Sequence, residues 1–152
     1  MSVRIRAAKL SDLDSLVQIE GEAFSPAKYP LTSRSQFRYF LTRAVNVELF
    51  VATGGKDVVG YILLFYRVNS AWGRLYSIAV QPQFQGGEVG KRLFEFAEQR
   101  ARMRKLRGML LEIRADNRKH LRRYQQLGYQ LVSTVPDYYP DGFAALKLRK
   151  EL

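Results

Sequence analysis

Residues 76–92 read YSIAVQPQFQGGEVGKR. Leu75, Tyr76, Ile78, Ala79 and Val80 are apolar or β-favouring and predict a strand. Pro82 ends it, since proline has no N–H to give a ladder. A short polar turn leads into Gly86-Gly87-Glu88-Val89-Gly90, and an amphipathic helix follows. Glycines let the backbone approach a ligand closely, and the first N–H groups of a helix have no partner inside it. Strand, glycine turn and helix start therefore make a site for an anion, with phosphate or pyrophosphate the natural guest. The stretch fits neither common phosphate signature. Gly90-Lys91 is followed by Arg92 rather than Ser or Thr, and the Gly-x-Gly-x-x-Gly spacing is absent. A plain glycine loop before a helix also accounts for it.

On the N-terminal side, Val3–Ala7 (VRIRA) alternates as a short strand with Val3, Ile5 and Ala7 on one face. Ser11 and Asp14 form a capping pattern. Leu13, Leu16, Val17, Glu20, Ala23 and Phe24 then keep helical spacing, with Glu20 the polar exception, until Ser25-Pro26. Ser33–Gln36 is a second capping box, before a helix whose apolar face is Phe37, Phe40, Leu41 and Ala44. A strand over 47–53, a glycine turn over 54–57 and a return strand over 58–68 read as a hairpin, the return strand nearly all apolar and so buried on both faces. These lead into the central strand, 74–80.

On the C-terminal side the helix runs over about 89–105 with an apolar stripe of Val89, Leu93, Phe94, Phe96 and Ala97. Gly108 breaks it, and 109–114 is an apolar strand. Asp116 or Asn117 caps a short helix ending at Gly128, with Leu121, Tyr124 and Leu127 inward. Strands over 129–135 and 143–148 flank an aromatic loop, 136–142. The order βααβββαβαββ predicts one α/β (α+β) domain over 1–152, with a mixed, mostly antiparallel sheet and helices on both faces.

With 152 residues, 47% hydrophobic and 26% charged, the chain has enough for one globular core. It has no cysteine and a single histidine, His120, which excludes disulfides, thiolate chemistry and a histidine-rich metal site. No metal site is expected. The longest apolar run is too short for a bilayer, and MSVRIRAAKL lacks the apolar core of a signal peptide, so a cytoplasmic protein with no membrane partner is expected. The formal charge of +11 favours an acidic partner, such as nucleic acid, the ribosome or an anionic cofactor. A solvated basic surface that only aids solubility accounts for it more simply, since charge alone reports no specific site.

Gln85–Gly90 and the block LEIRADNRKHLRRYQQLGY (111–129) together resemble the GNAT superfamily of acyl-CoA N-acyltransferases, across essentially the whole chain. The family's phosphate motif is Gln/Arg-x-x-Gly-x-Gly/Ala. Gln85, Val89 and Gly90 match it; Glu88 occupies the fourth-position glycine, and Gly87 stands one place early. In the second block Asn117, Tyr124 and Gly128 fall in register. Tyr138-Tyr139-Pro140-Asp141-Gly142 resembles the C-terminal loop of the protein N-terminal acetyltransferase (RimI-like) branch.

The resemblance implies acetyl-CoA as cofactor and attack of an amine on its thioester. That chemistry needs a base near the amine and an acid for the departing thiolate. Glu112 matches the base position; otherwise it is a sheet carboxylate paired with an arginine such as Arg114. Tyr124 matches the general acid; otherwise it is a core aromatic. Ile78, Ala79 and Val80 would present main-chain groups to pantetheine, with Asn117 and Tyr124 alongside. N–H groups of Gln85, Gly86, Gly87, Glu88, Val89, Gly90 and Lys91 would hold the pyrophosphate, with charge from Lys91 and Arg92. Phe24, Tyr29, Tyr138 and Tyr139 are candidates for the acceptor groove. His120 reads as a surface residue.

The implied function is acetyl transfer to a primary amine, in this branch a protein or peptide N-terminal α-amine. A small-molecule amine or lysine acceptor is the alternative, polyamines being disfavoured by the basic charge. A non-catalytic CoA-binding module is another, and a nucleic-acid or ribosome partner for the basic residues of 100–107 and 118–123 a third.

Overall fold

The computed structural model describes residues 2–152. The elements are β1 (Val3–Ala7), α1 (Leu13–Ala23), α2 (Arg34–Thr42), β2 (Val47–Gly54), β3 (Asp57–Tyr66), β4 (Trp72–Val80), α3 (Glu88–Met103), β5 (Gly108–Arg114), α4 (Arg118–Gln126), β6 (Gln130–Val135) and β7 (Ala145–Glu151). Short 3-10 turns precede α1 (Leu10–Asp12) and follow β4 (Pro82–Phe84). The order is the one read from the sequence. The strands form one sheet, β1-β2-β3-β4-β5-β7-β6. Among the described residues only β4 and β5 pair in parallel.

The apolar run of β3 is buried on both faces. Ile62 and Leu64 pack in a core with Leu93, Phe94 and Ala97 of α3. Tyr61 and Leu63 pack in a second core with Leu13, Leu16 and Ile19 of α1 and Phe37 of α2. One sheet thus separates two helix layers, each buried by an amphipathic stripe.

Several local expectations are corrected. Ser11 and Asp14 do not cap α1, because a 3-10 turn occupies that place. Asp12 accepts from the Lys9 N–H (2.8 Å) and from both Arg6 Nη atoms (2.8 and 2.9 Å). Asp14 pairs with Arg34 at 2.7 Å instead. The second box is present: Ser33 Oγ accepts from the Gln36 N–H, and Gln36 Oε1 from the Ser33 N–H. Leu127 is exposed, because α4 ends one residue before it. Val68 lies beyond β3 and is exposed. The last strand begins at Ala145 rather than 143, since the Phe143 carbonyl accepts from Tyr138 and Tyr139 within the preceding loop.

One irregularity positions the site. Along β3 and β4, Leu63 faces Ser77 but Leu64 faces Leu75, so Tyr76 is an extra residue. Such a bulge bends its strand. On the other side, β4 pairs with β5 only through Trp72↔Gly108, Gly73↔Met109 and Arg74↔Leu110. β5 remains paired with β7 from Gly108 to Arg114. Beyond Arg74 the two strands part, and the sheet opens into a cleft.

Candidate active site

A cavity of about 160 Å³ fills this opening. Leu75 to Ile78 of β4 and Leu111 to Arg114 of β5 form its walls. Since β4 loses its neighbour after Arg74, the main-chain groups of Ile78 face a gap where a strand would otherwise pair, while those of Ala79 turn to Tyr61 of β3. Val80 closes the edge, its carbonyl accepting from Gln85 Nε2 at 2.9 Å.

Leu111 and Ile113 belong to the core beneath α3, so strand alternation sends Glu112 and Arg114 to the opposite face. Glu112 lines the cavity. Both its oxygens are held by Arg74, Nε at 3.3 Å and Nη2 at 3.2 Å. Arg74 Nη2 also donates to the Tyr138 hydroxyl at 3.1 Å. The partner of Glu112 is therefore Arg74, not Arg114. Burial, and then the charge of Glu112, push the Tyr138 phenol up from its usual range.

Tyr124, on the α3 side of the sheet, packs against Phe94 (centroids 5.3 Å apart) and also lines the cavity. Burial raises its phenol pKa, only partly opposed by Arg123, so it keeps its proton throughout the physiological range. Asn117 Oδ1 accepts from the His120 N–H at 3.1 Å, the expected N-cap of α4. His120 is surface-exposed by area, but it also lines the cavity, 6.1 Å from the Tyr124 ring. Burial, then Arg123 and Lys119, lower its pKa and favour the neutral imidazole.

At the end of β4, Gly86 has φ +79°, a conformation that favours glycine. Gly90 has no such need. A methyl group built on it would make only ordinary contacts, 3.8 Å from Val80 Cγ2 and 3.9 Å from Arg123 Nη2. Its bareness leaves the first turn of α3 open at the place where the N–H groups of 87–90 lack helical partners. Arg123 brings a cation to that turn from α4. A turn with free N–H groups, an unfilled glycine and a nearby guanidinium fits a pyrophosphate. Glu88 is the first residue of α3, exposed and favourably placed for the helix dipole. Lys91 is exposed, while Arg92 is engaged elsewhere, donating to the Val3 carbonyl. Glu88→Gln is therefore expected to tighten acetyl-CoA binding about two- to threefold by removing a like charge. Arg123→Ala is expected to weaken it roughly tenfold. Calorimetric titration reads both.

Phe24, Tyr29, Tyr138 and Tyr139 all line the cavity. Their rings form a chain: Phe24–Tyr29 at 5.2 Å, Tyr29–Tyr139 at 5.5 Å and Tyr138–Tyr139 at 4.9 Å. Arg114 pins this wall. Only 3% exposed, it binds Asp141 (2.8 and 3.0 Å), Asp116 (3.1 and 3.2 Å) and the Lys28 carbonyl (2.9 Å). It also lies over the rings of Tyr29, Tyr139 and Phe143. It thereby ties the segment after α1 to the β6–β7 loop. Arg114→Met leaves two carboxylates without their cation and is expected to lower Tm by roughly 5–10 °C. KM for the amine should rise with little change in KM for acetyl-CoA, as thermal melts and steady-state rates would show.

The structure thus brings together Glu112, Tyr124, Ile78 and the four aromatic candidates around one cavity, with the glycine turn at the end of its β4 wall. Sequence reading missed Arg74, Arg123, Arg114 as a pin, and Ser77 with Glu20 and Tyr61. Glu20, a carboxylate in an apolar stripe, was the one visible signal.

Residues 13–129 match the Acetyltransferase (GNAT) family. An N-alpha-acetyltransferase of Sulfurisphaera tokodaii is 28% identical over 91% of this chain and 87% of its own. The [ribosomal protein bS18]-alanine N-acetyltransferase of Salmonella typhimurium is 27% identical over 86% of this chain and 82% of its own. The crystal structure of the ribosomal-protein-S18-alanine N-acetyltransferase from Escherichia coli superposes with a TM-score of 0.86, at 22% identity, covering 99% of this chain and 94% of that one. The family match spans most of the chain, and the chain belongs to the GNAT acetyltransferase family.

Proposed function

We propose that this N-acetyltransferase acetylates the N-terminal α-amine of a protein or peptide, with acetyl-CoA as donor. The carrying observation is the cavity at the β4–β5 split, with a carboxylate on one face of the sheet and a protonated phenol on the other. The names of the relatives in Sulfurisphaera and Salmonella favour the same acceptor class. When bound, acetyl-CoA supplies a thioester whose C–S bond is exchanged for a C–N bond to the amine. The turn 85–91 and Arg123 hold the pyrophosphate, and the free edge of β4 at Ile78 to Val80 holds the pantetheine arm with Asn117 and Tyr124. Glu112 takes the proton of the ammonium, directly or through water. Tyr124 gives its proton to the departing sulfur. An α-amine, with an unperturbed pKa near ~7.7–8.0, loses its proton far more readily than lysine near ~10.4.

The basic surface, rich in Arg118, Lys119, Arg122 and Arg123 on α4, favours an acidic surrounding such as the ribosome for the acceptor. A cytoplasmic setting fits that partner. Among the described residues no helix is long and apolar enough to cross a membrane.

The test is a pair of peptides identical but for a free or a formylated N-terminus, each with an internal lysine. Acetylation of the free α-amine only is expected. Equal modification of both peptides, at lysine, would refute the α-amine assignment.

A further inference from the structure

A second polar group enters the cavity from the α1 side. Glu20 is only 3% exposed yet lines the cavity, and so does Ser77. Between them stands Tyr61, fully buried in β3. Glu20 Oε2 accepts from the Thr32 N–H at 2.6 Å, and Oε1 accepts from the Tyr61 hydroxyl. The Tyr61 oxygen lies 2.8 Å from Ser77 Oγ.

The direction of this chain follows from its buried end. A carboxylate only accepts, and a phenol has one proton to donate. Burial, and then the charge of Glu20, push the Tyr61 phenol well above its ordinary range, so its proton stays and points at Glu20. Toward Ser77, Tyr61 is therefore an acceptor, and the single Ser77 proton is directed inward. What Ser77 has left is acceptor capacity. An amine or ammonium presents N–H donors, and Ser77 lines the same cavity as Glu112 and the aromatic wall.

We propose that Ser77 Oγ receives an N–H of the acceptor amine, with its lone pairs kept available by the Glu20–Tyr61 pair behind it. Ser77 is thereby a residue that positions and selects the amine. This rests on amine acetylation at this cleft, as given above. Glu20→Gln tests the polarity. A glutamine there can still accept from Thr32, but its amide donates to Tyr61. The chain then reverses and turns the Ser77 proton outward, although Ser77 itself is untouched.

Steady-state rates with acetyl-CoA and an alanine-initiated peptide, beside a panel of other amines, decide the matter. Ser77→Ala is expected to raise KM for the amine about tenfold while KM for acetyl-CoA stays unchanged. Ser77→Thr, which keeps the hydroxyl, should restore it, and Glu20→Gln should raise it in the same sense. An unchanged amine KM in Ser77→Ala, or equal rises in both KM values, would overturn the proposal while leaving amine acetylation intact. So would an unchanged amine KM in a Glu20→Gln protein with wild-type melting. A wild type that acetylates nothing on the panel would instead overturn the transferase assignment, and this proposal with it.

Discussion

Glu112→Gln is expected to lower kcat about a hundredfold, the lower range for loss of a positioned base, with acetyl-CoA affinity unchanged. The amide has the carboxylate's shape and can still accept from Arg74, which holds both oxygens of Glu112 at 3.2–3.3 Å. What it cannot do is take a proton. Because Glu112 lies on the face of the sheet opposite the core beneath α3, where the amine is proposed to enter, the loss should fall on the amine and not on cofactor binding. Rates at saturating acetyl-CoA, paired with a calorimetric titration, separate the two. A kcat within twofold of wild type would remove Glu112 from the chemistry.

Tyr124→Phe is expected to cost a similar factor, about a hundredfold in kcat. The ring would still pack on Phe94, so folding should be little affected. The pH dependence adds a second check. Burial raises the Tyr124 pKa above its ordinary value of about 10. The phenol is thus fully protonated below that value and loses its proton only as pH rises through the raised one. The wild-type rate should therefore climb as the amine deprotonates and show no descending limb before pH 10. A descending limb near neutral pH would assign the acid to some other group. An unaltered kcat in Tyr124→Phe would make the tyrosine a packing residue.

Most of the fold was legible from local pattern. Alternation identified Val3–Ala7, the apolar run identified β3, and the glycine turn placed the start of α3. What escaped was set by contacts distant in sequence. The strand β7 starts late because the Phe143 carbonyl is taken by the N–H groups of Tyr138 and Tyr139, and α1 starts late because Asp12 is claimed by Arg6 and Lys9. The site divides the same way. Glu112, Tyr124, Tyr138 and Tyr139 lie in stretches that resemble family motifs, Phe24 and Tyr29 do not, and all six line the cavity. Arg74, Arg123 and the Glu20–Tyr61–Ser77 chain lie on separate elements, with no motif to join them. Their meaning depends on the bulge at Tyr76 and on the strand parting that it accompanies. No periodicity announces such a bulge.

The most direct test is calorimetric titration with acetyl-CoA, followed by mass spectrometry of a mixed peptide and amine panel in the same tube. Binding, with the gain of one acetyl group on a peptide α-amine, is the expected result. Binding without transfer to any member of the panel, or no binding at all, would contradict the assignment of this cleft as an acetyl-transfer site.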